Sequence, residues 1–166
     1  MTVETLALNH SLNVFLAVQA IGLSLWLSIA LVNNLQAFRS SVGAVGATMA
    51  MVRLRESPAI ETPLLARAVA SPRWHQLALL VLLVLQLAAA LAAWTGSYHL
   101  IAGDGLLSAR PWLNLALSAF SGFIFAMLLS GLWFGYWIRQ EGLQLTHLVL
   151  SVWGVLAFFL FNLSWP

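Results

Sequence analysis

Four long, uncharged apolar runs constrain this chain more than any other feature. They extend over about residues 11–32, 75–95, 112–138 and 143–163, and none contains Asp, Glu, Lys or Arg. Each provides the roughly 20 residues that an α-helix needs to cross the hydrocarbon core of a bilayer. Because lipid offers no hydrogen-bond partners to the backbone, such runs must be helical. The sequence therefore predicts an all-α, polytopic membrane protein, a bundle of four transmembrane helices that forms a single membrane domain over residues 1–166.

The scarcity of charge excludes several classes of partner. Only 7% of the residues are charged, whereas a soluble domain carries roughly 25%. The seven basic residues are all arginine and are spread along the chain, so they form no clustered basic face for nucleic acid. The chain has no cysteine, which excludes disulfides and thiolate-bound metals. The partner predicted from composition is the lipid bilayer.

The positions of the arginines predict how the chain crosses the membrane. Arg139 separates the last two runs, and Arg110 is alone on the opposite side. The connection 33–74 contains the other five, Arg39, Arg53, Arg55, Arg67 and Arg73. Short loops rich in arginine remain in the cytoplasm. We therefore expect a bacterial inner-membrane protein with this connection in the cytoplasm and both termini in the periplasm.

The 33–74 connection is too long to be a structureless loop in a compact protein. Val42, Val45, Met49 and Val52 recur at helical spacing, and Thr62–Pro63 is a typical start of a second short helix. Two interpretations remain open. The connection is either a membrane-surface helix that docks a soluble partner, or a cover that packs under the bundle.

Small residues recur every four positions along the third run, and a second pair follows them. The residues of this predicted helix-packing seam are Ser118, Gly122, Ala126, Ser130, Gly131 and Gly135. In lipid, helices associate through close backbone approach, which small side chains permit. The seam serves either packing inside the bundle or contact with another membrane subunit, and the spacing allows both.

Three polar residues are candidates for binding a cofactor: His75, His147 and Gln86. Gln86 lies in the middle of the second run, where we expect an interhelical hydrogen bond to Gln19 or Ser24, or else a contact with a quinone carbonyl. His75 and His147 are expected at the same depth on neighbouring helices, an arrangement that can ligate haem iron. Histidine also favours membrane interfaces, so no cofactor is predicted outright, and no metal site.

Aromatic residues cluster near the predicted helix ends, as the interfacial belts of membrane proteins do. They are Trp74, Trp94, Tyr98, Trp112, Trp133, Tyr136, Trp137 and Trp165. We assign them no role in binding a cofactor.

The chain has no equipment for catalysis of its own. No paired carboxylates lie within the runs, and no glycine-rich phosphate loop or nucleophile–base spacing is present. We therefore predict no catalytic residues and no independent enzyme. The leading hypothesis is a non-catalytic accessory or anchoring subunit of a larger bacterial inner-membrane complex. The alternatives are a redox membrane anchor that binds quinone or b-type haem, and a component of a small-solute channel or transporter.

Several short motifs resemble an uncharacterised bacterial family of predicted small integral membrane proteins. They are Asn33–Asn34, the Met49 region, Pro63-Leu-Leu-Ala-Arg67-Ala-Val-Ala-Ser71-Pro72 with His75, and Gly131-Leu-Trp133-Phe134-Gly-Tyr-Trp137. The resemblance implies four helices in this order, and it implies no activity. The chain departs from the family pattern at Gln86 and Leu132, where that pattern has acids. Any role of those acids is not carried over.

Overall fold

The computed structural model describes residues 3–164, with side chains from His10 onward; Trp165 lies outside this part. The described chain contains no strand, which confirms the all-α prediction. Its helices are α1 (Val3–Gln36), α2 (Phe38–Met49), α3 (Val52–Arg55), α4 (Pro72–Ala102), α5 (Leu106–Trp133) and α6 (Glu141–Asn162). Two short 3-10 helices lie at Pro63–Arg67 and Tyr136–Ile138.

Four of these helices are long and apolar enough to cross a membrane, as predicted. The candidate spans are His10–Gln36, Pro72–Ala102, Leu106–Trp133 and Glu141–Asn162. The first three spanning helices begin before the predicted apolar runs, and the first two also end after them. For example, α4 begins at Pro72, directly after Ser71, and continues to Ala102.

Helix α4 is the centre of the bundle. It packs against α1 and α5, and α5 packs in turn against α6. Helix α1 also contacts α5 and α6 through aromatic rings. The ring of Trp26 lies 5.7 Å from that of Phe120 on α5 and 5.9 Å from that of Trp153 on α6. All three ring pairs of this cluster meet edge to face, which is a favourable geometry for aromatic rings.

The first two helices form one nearly continuous rod that bends at Ala37. The amide of Ala37 donates to the carbonyl of Asn33, and the carbonyl of Ala37 accepts from the amide of Ser41. Helix α2 then follows α4 in the antiparallel sense. Asn34 contacts Gln86, and Gly46 contacts His75. The segment from Asn34 to Gly46 therefore lies beside the segment of α4 from Gln86 back to His75.

The two ends of the bundle are built differently. The cap end carries the rest of the first connection, residues 50–71, which we call the cap, and the loop 134–140. The far end carries the short turn 103–105 between α4 and α5. The bundle's main core extends along α1, α4, α5 and α6.

The cap is folded against the loop 134–140 by a small core of its own. Met51, Leu54 and Phe134 are buried at its centre. Arg139 donates to the carbonyl oxygens of Glu56 and Pro58. The cap thus covers one end of the bundle, as in the second of the two interpretations, and its outer side leaves Arg53 and Arg55 exposed.

Helix α5 ends earlier than the predicted run, which extended to residue 138. It stops at Trp133 because Gly135 adopts a left-handed backbone with φ 66°, a conformation that glycine adopts at little cost. The connection to α6 is consequently residues 134–140 and includes a 3-10 turn. Glu141 belongs to the first turn of α6, where a negative charge is favourable.

Candidate functional site at the cap end

A cavity of about 600 Å³ lies between α2, α4, α5 and α6. We call it the cap-end cavity. Its walls are mainly apolar, and it opens at the surface of the molecule, since Trp74, Leu77 and Val81 on its rim are about half exposed. Its volume falls within the range of roughly 300–1,000 Å³ that is usual for small-molecule sites.

Tyr136 and His147 form a buried polar pair in the wall of this cavity. The Tyr136 hydroxyl lies 3.4 Å from Nδ1 of His147, and the two rings stack at 22°. His147 belongs to the second turn of α6, whereas Tyr136 belongs to the 3-10 turn before it. Burial raises the pKa of Tyr136, so its phenol keeps its proton at neutral pH.

Gly131 makes the position of Tyr136 possible. The Tyr136 ring lies so close to the backbone of Gly131 that a β-carbon there would come within 2.6 Å of it. Real β-carbons do not approach a neighbour that closely. The small residue at 131 therefore serves packing within the chain.

Asn34 lies at the other end of the cavity and is part of a chain of polar side chains. Ser41 donates to Asn34 at 3.1 Å, and the Asn34 amide donates to Gln86 Oε1 at 3.4 Å. Gln86 is buried, and its Nε2 has no hydrogen-bond partner within the described residues. Gln86 thus makes the expected interhelical hydrogen bond, but its partner is Asn34 and not Gln19 or Ser24. Ser24 bonds instead to Ser97, about three turns further along α4.

His75 lies outside the wall of the cavity, so the structure does not bring it together with His147 there. Its Nε2 is 2.8 Å from the Val69 carbonyl oxygen. Its Nδ1 faces Gly46 so closely that a β-carbon at Gly46 would lie 2.5 Å away. Because Nε2 is hydrogen-bonded and Nδ1 packs against the backbone of Gly46, neither nitrogen has open space for iron in this arrangement, and the histidines present do not fit a haem ligated by His75 and His147.

The six residues of the predicted seam lie in three different places. Gly131 and Gly135 belong to the turn around Tyr136, and Ala126 and Ser130 line the cavity. Ser118 and Gly122 are exposed on the outer face of α5. A contact with another subunit remains a prediction for this last pair alone.

Two residues of the site were missed by the sequence analysis. Tyr136 was assigned to an interfacial belt, yet it is buried in the cavity wall. Asn34 was noted only as part of a motif. A signal for Tyr136 did exist, since Gly131 and Gly135 before it are the residues that a tight turn against a helix requires.

Comparison with known proteins identifies the family of the chain. A family model described as predicted small integral membrane protein (DUF2165) matches residues 12–164. Comparisons with curated proteins and with solved structures give no match. The matched range includes the four candidate spans almost completely, together with the cap and every residue of the cavity wall. The chain therefore belongs to the DUF2165 family of predicted small integral membrane proteins.

Proposed function

We propose that the chain is a non-catalytic accessory subunit that anchors a larger protein complex in the bacterial inner membrane. The observation that carries this proposal is the cap, a folded and positively charged platform at one end of the bundle. Arg53, Arg55 and Arg73 are exposed at this end, and the one salt bridge among the described residues, Arg53 to Glu56, is itself exposed. Charge on an ordered surface of this kind is available to a protein partner.

The exposed pair Ser118 and Gly122 supports a lateral contact in addition. Apart from the adjacent backbone of its own helix, no described atom lies within 4 Å of the position that a β-carbon at Gly122 would occupy. An open small-residue surface on a spanning helix allows the backbone of another helix to approach. The cap and this surface together give the subunit one contact outside the bilayer and one within it.

The arginine distribution supports a cytoplasmic cap and periplasmic termini. Because the chain has no cysteine, a single engineered cysteine reports the side on which it lies. We expect Arg55→Cys to resist an impermeant thiol reagent added to intact spheroplasts and to react in inverted vesicles. Asp104→Cys, in the turn at the far end, is the matched control with the opposite pattern. Labelling of residue 55 from outside would contradict the proposed orientation.

Affinity purification in mild detergent tests the anchoring role. We expect a defined partner to co-purify in fixed stoichiometry, to be lost from Gly122→Leu or from the double variant Arg53→Glu/Arg55→Glu, and to be retained by Ala88→Leu. Ala88 is exposed on α4, so its substitution controls for added bulk on the lipid-facing surface. A monomer without a partner, or a partner that these variants all retain, would reject the proposal.

A redox anchor is the second candidate, and the cap-end cavity favours its quinone-binding form. The geometry of His75 does not favour the haem form. The absorption spectrum of the purified protein distinguishes the two, because bound haem gives an intense Soret band. We expect no such band, and an oxidised-minus-reduced difference in the ultraviolet if quinone co-purifies.

A further inference from the structure

We propose that the cap-end cavity binds a neutral lipid through a carbonyl oxygen, which accepts a hydrogen bond from the Tyr136–His147 pair. This assignment does not depend on the accessory role, since the cavity is formed by a single chain. It rests on the length of the cavity, the absence of charge in its wall and the number of free hydrogen-bond donors.

The length of the cavity matches one leaflet of a bilayer. Its wall on α5 begins at Phe123 and continues to Phe134 beyond the end of the helix, which is about 16 Å at 1.5 Å per residue. Half of the hydrocarbon core is about 15 Å thick. Because the rim is exposed and apolar, a chain-bearing molecule can enter from the side without leaving the membrane.

The wall excludes a charged head group from the cavity. None of the residues that line it is Asp, Glu, Lys or Arg. A phosphate or carboxylate placed there would lose its hydration without gaining an opposite charge, which is costly. The part of the ligand inside the cavity is therefore uncharged.

The serine and threonine hydroxyl groups of the wall already donate hydrogen bonds within the chain. Ser41 donates to Asn34, Thr48 donates to Gln140 and Ser130 donates to a carbonyl of its own helix. Two donors remain at this end of the cavity: the indole N–H of Trp74, which is exposed on the rim, and the Tyr136–His147 pair, which is buried in the wall. The buried pair is therefore the donor that a ligand inside the cavity meets.

A count of protons shows what the pair can offer. The neutral pair has one O–H on Tyr136 and one N–H on His147, and their mutual contact uses one of the two. If Tyr136 donates, the Nε2–H of His147 remains; if His147 donates from Nδ1, the Tyr136 O–H remains. Among the described residues, the side-chain contact of His147 is made by Nδ1, and Nε2 makes none. Either tautomer leaves one donor, and a carbonyl oxygen is its natural acceptor.

Two kinds of membrane lipid have this chemistry: a quinone, through its ring carbonyl, and a diacylglycerol-type lipid, through an ester carbonyl. We would titrate the purified full-length protein in detergent micelles with decylubiquinone and, separately, with dioctanoylglycerol, and measure binding by calorimetry against empty micelles. Saturable binding of the quinone alone identifies the first source, and binding of the glycerolipid alone identifies the second. Binding of both supports recognition of the carbonyl itself, and binding of neither overturns the proposal.

Three variants locate the binding. Ala78→Phe places a ring into the cavity wall and is expected to weaken binding at least tenfold. The double variant Tyr136→Phe/His147→Leu removes the free donor and is expected to weaken binding about fivefold to tenfold, the usual effect of one lost hydrogen bond. Ala88→Phe, on the exposed face of α4, is the matched control and should bind normally.

Two measurements of folding distinguish a blocked cavity from a misfolded variant. Circular dichroism and elution volume should be unchanged in Ala78→Phe, so that its weaker binding reports occupancy of the cavity. Wild-type affinity in a folded Ala78→Phe protein would refute the location. Wild-type affinity in the double variant would refute the role of the pair.

Discussion

The same four spanning helices form the far end and the cap end of the bundle, but their side chains pack more densely away from the cap. From the far end to the middle of the bundle, α1 packs against its neighbours, and Leu16, Ala20, Leu27, Phe120 and Phe161 are at most 1% exposed. At the cap end, α2 lies beside α4 with a cavity of about 600 Å³ next to it. The comparison shows that one part of the bundle is densely packed, whereas the part next to the cap contains a cavity.

The side chains on the first two helices account for the difference. Leu16, Ala20, Leu23 and Leu27 are spaced at three or four residues, so they line one face of α1. The matching face of α2 presents Ser41, Ala44, Val45 and Thr48 to the cavity. These side chains are too short to fill the distance to α5 and α6.

The largest expected effect is in the densely packed part of the bundle, at its middle, and not at the cavity. Phe120→Ala removes a fully buried ring and should lower the free energy of unfolding by about 3 kcal/mol. Phe123→Ala, which enlarges a space that already exists, should cost less than half as much. Unfolding in mixed detergent–dodecyl sulfate micelles measures both. Equal losses would show that the two parts are packed alike.

A second substitution tests whether the cap is held by its own core. Leu54→Ala should lower the local stability of the cap by about 2 kcal/mol and leave the spans intact. Limited proteolysis within residues 56–61 should then be about thirtyfold faster, since cleavage follows the population of the opened cap. Val52→Ala, at an exposed position of the same helix, is the control. An unchanged rate for Leu54→Ala would mean that hydrogen bonds such as those of Arg139 and Val69, and not this small core, hold the cap.

A third substitution concerns the far end. Asn114 and Asn162 exchange two amide hydrogen bonds of 2.9 and 2.7 Å between α5 and α6. Asn114→Ala should cost about 1 kcal/mol, with Asn13→Ala at an exposed position of α1 as the control. The same micelle titration applies, and a stability equal to wild type would show that this pair does not hold the far end together.

The smallest expected effect is at the Ser24–Ser97 contact. Their hydroxyl oxygens are 3.1 Å apart between α1 and α4. Ser24→Ala should destabilise the protein by about 0.6 kcal/mol, the mean for hydrogen bonds between membrane helices. Ser118→Ala, on the outer face of α5, should change nothing. A loss above that of Asn114→Ala would reverse the expected order of the two contacts.

The spans could be predicted because the requirement for apolar length is local. Their number and order follow from composition within windows of about 20 residues. The extension of α2 along α4 could not be predicted, since it depends on the bend at Ala37 and on contacts between distant residues. The early end of α5 is encoded by Gly135, but a glycine in an apolar run is equally compatible with close helix packing.

The candidate site was only partly within reach of the sequence. His147 and Gln86 were selected as rare polar residues at membrane depth, and the structure places the first in the cavity wall and the second next to Asn34. The partner of each could not be deduced, because the contacts depend on helix rotation. His75 resembled His147 in depth but is turned toward the Val69 carbonyl.

Gly131 has no side chain, and both the fold of the loop 134–140 and the Tyr136–His147 contact depend on that. A methyl group there would force the Tyr136 ring to move, and both the loop and the hydrogen-bonding pair depend on the position of that ring. No substitution at this residue can therefore separate folding from recognition. A substitution meant to block the cap-end cavity without disturbing the fold must therefore be placed in the opposite wall, on α4.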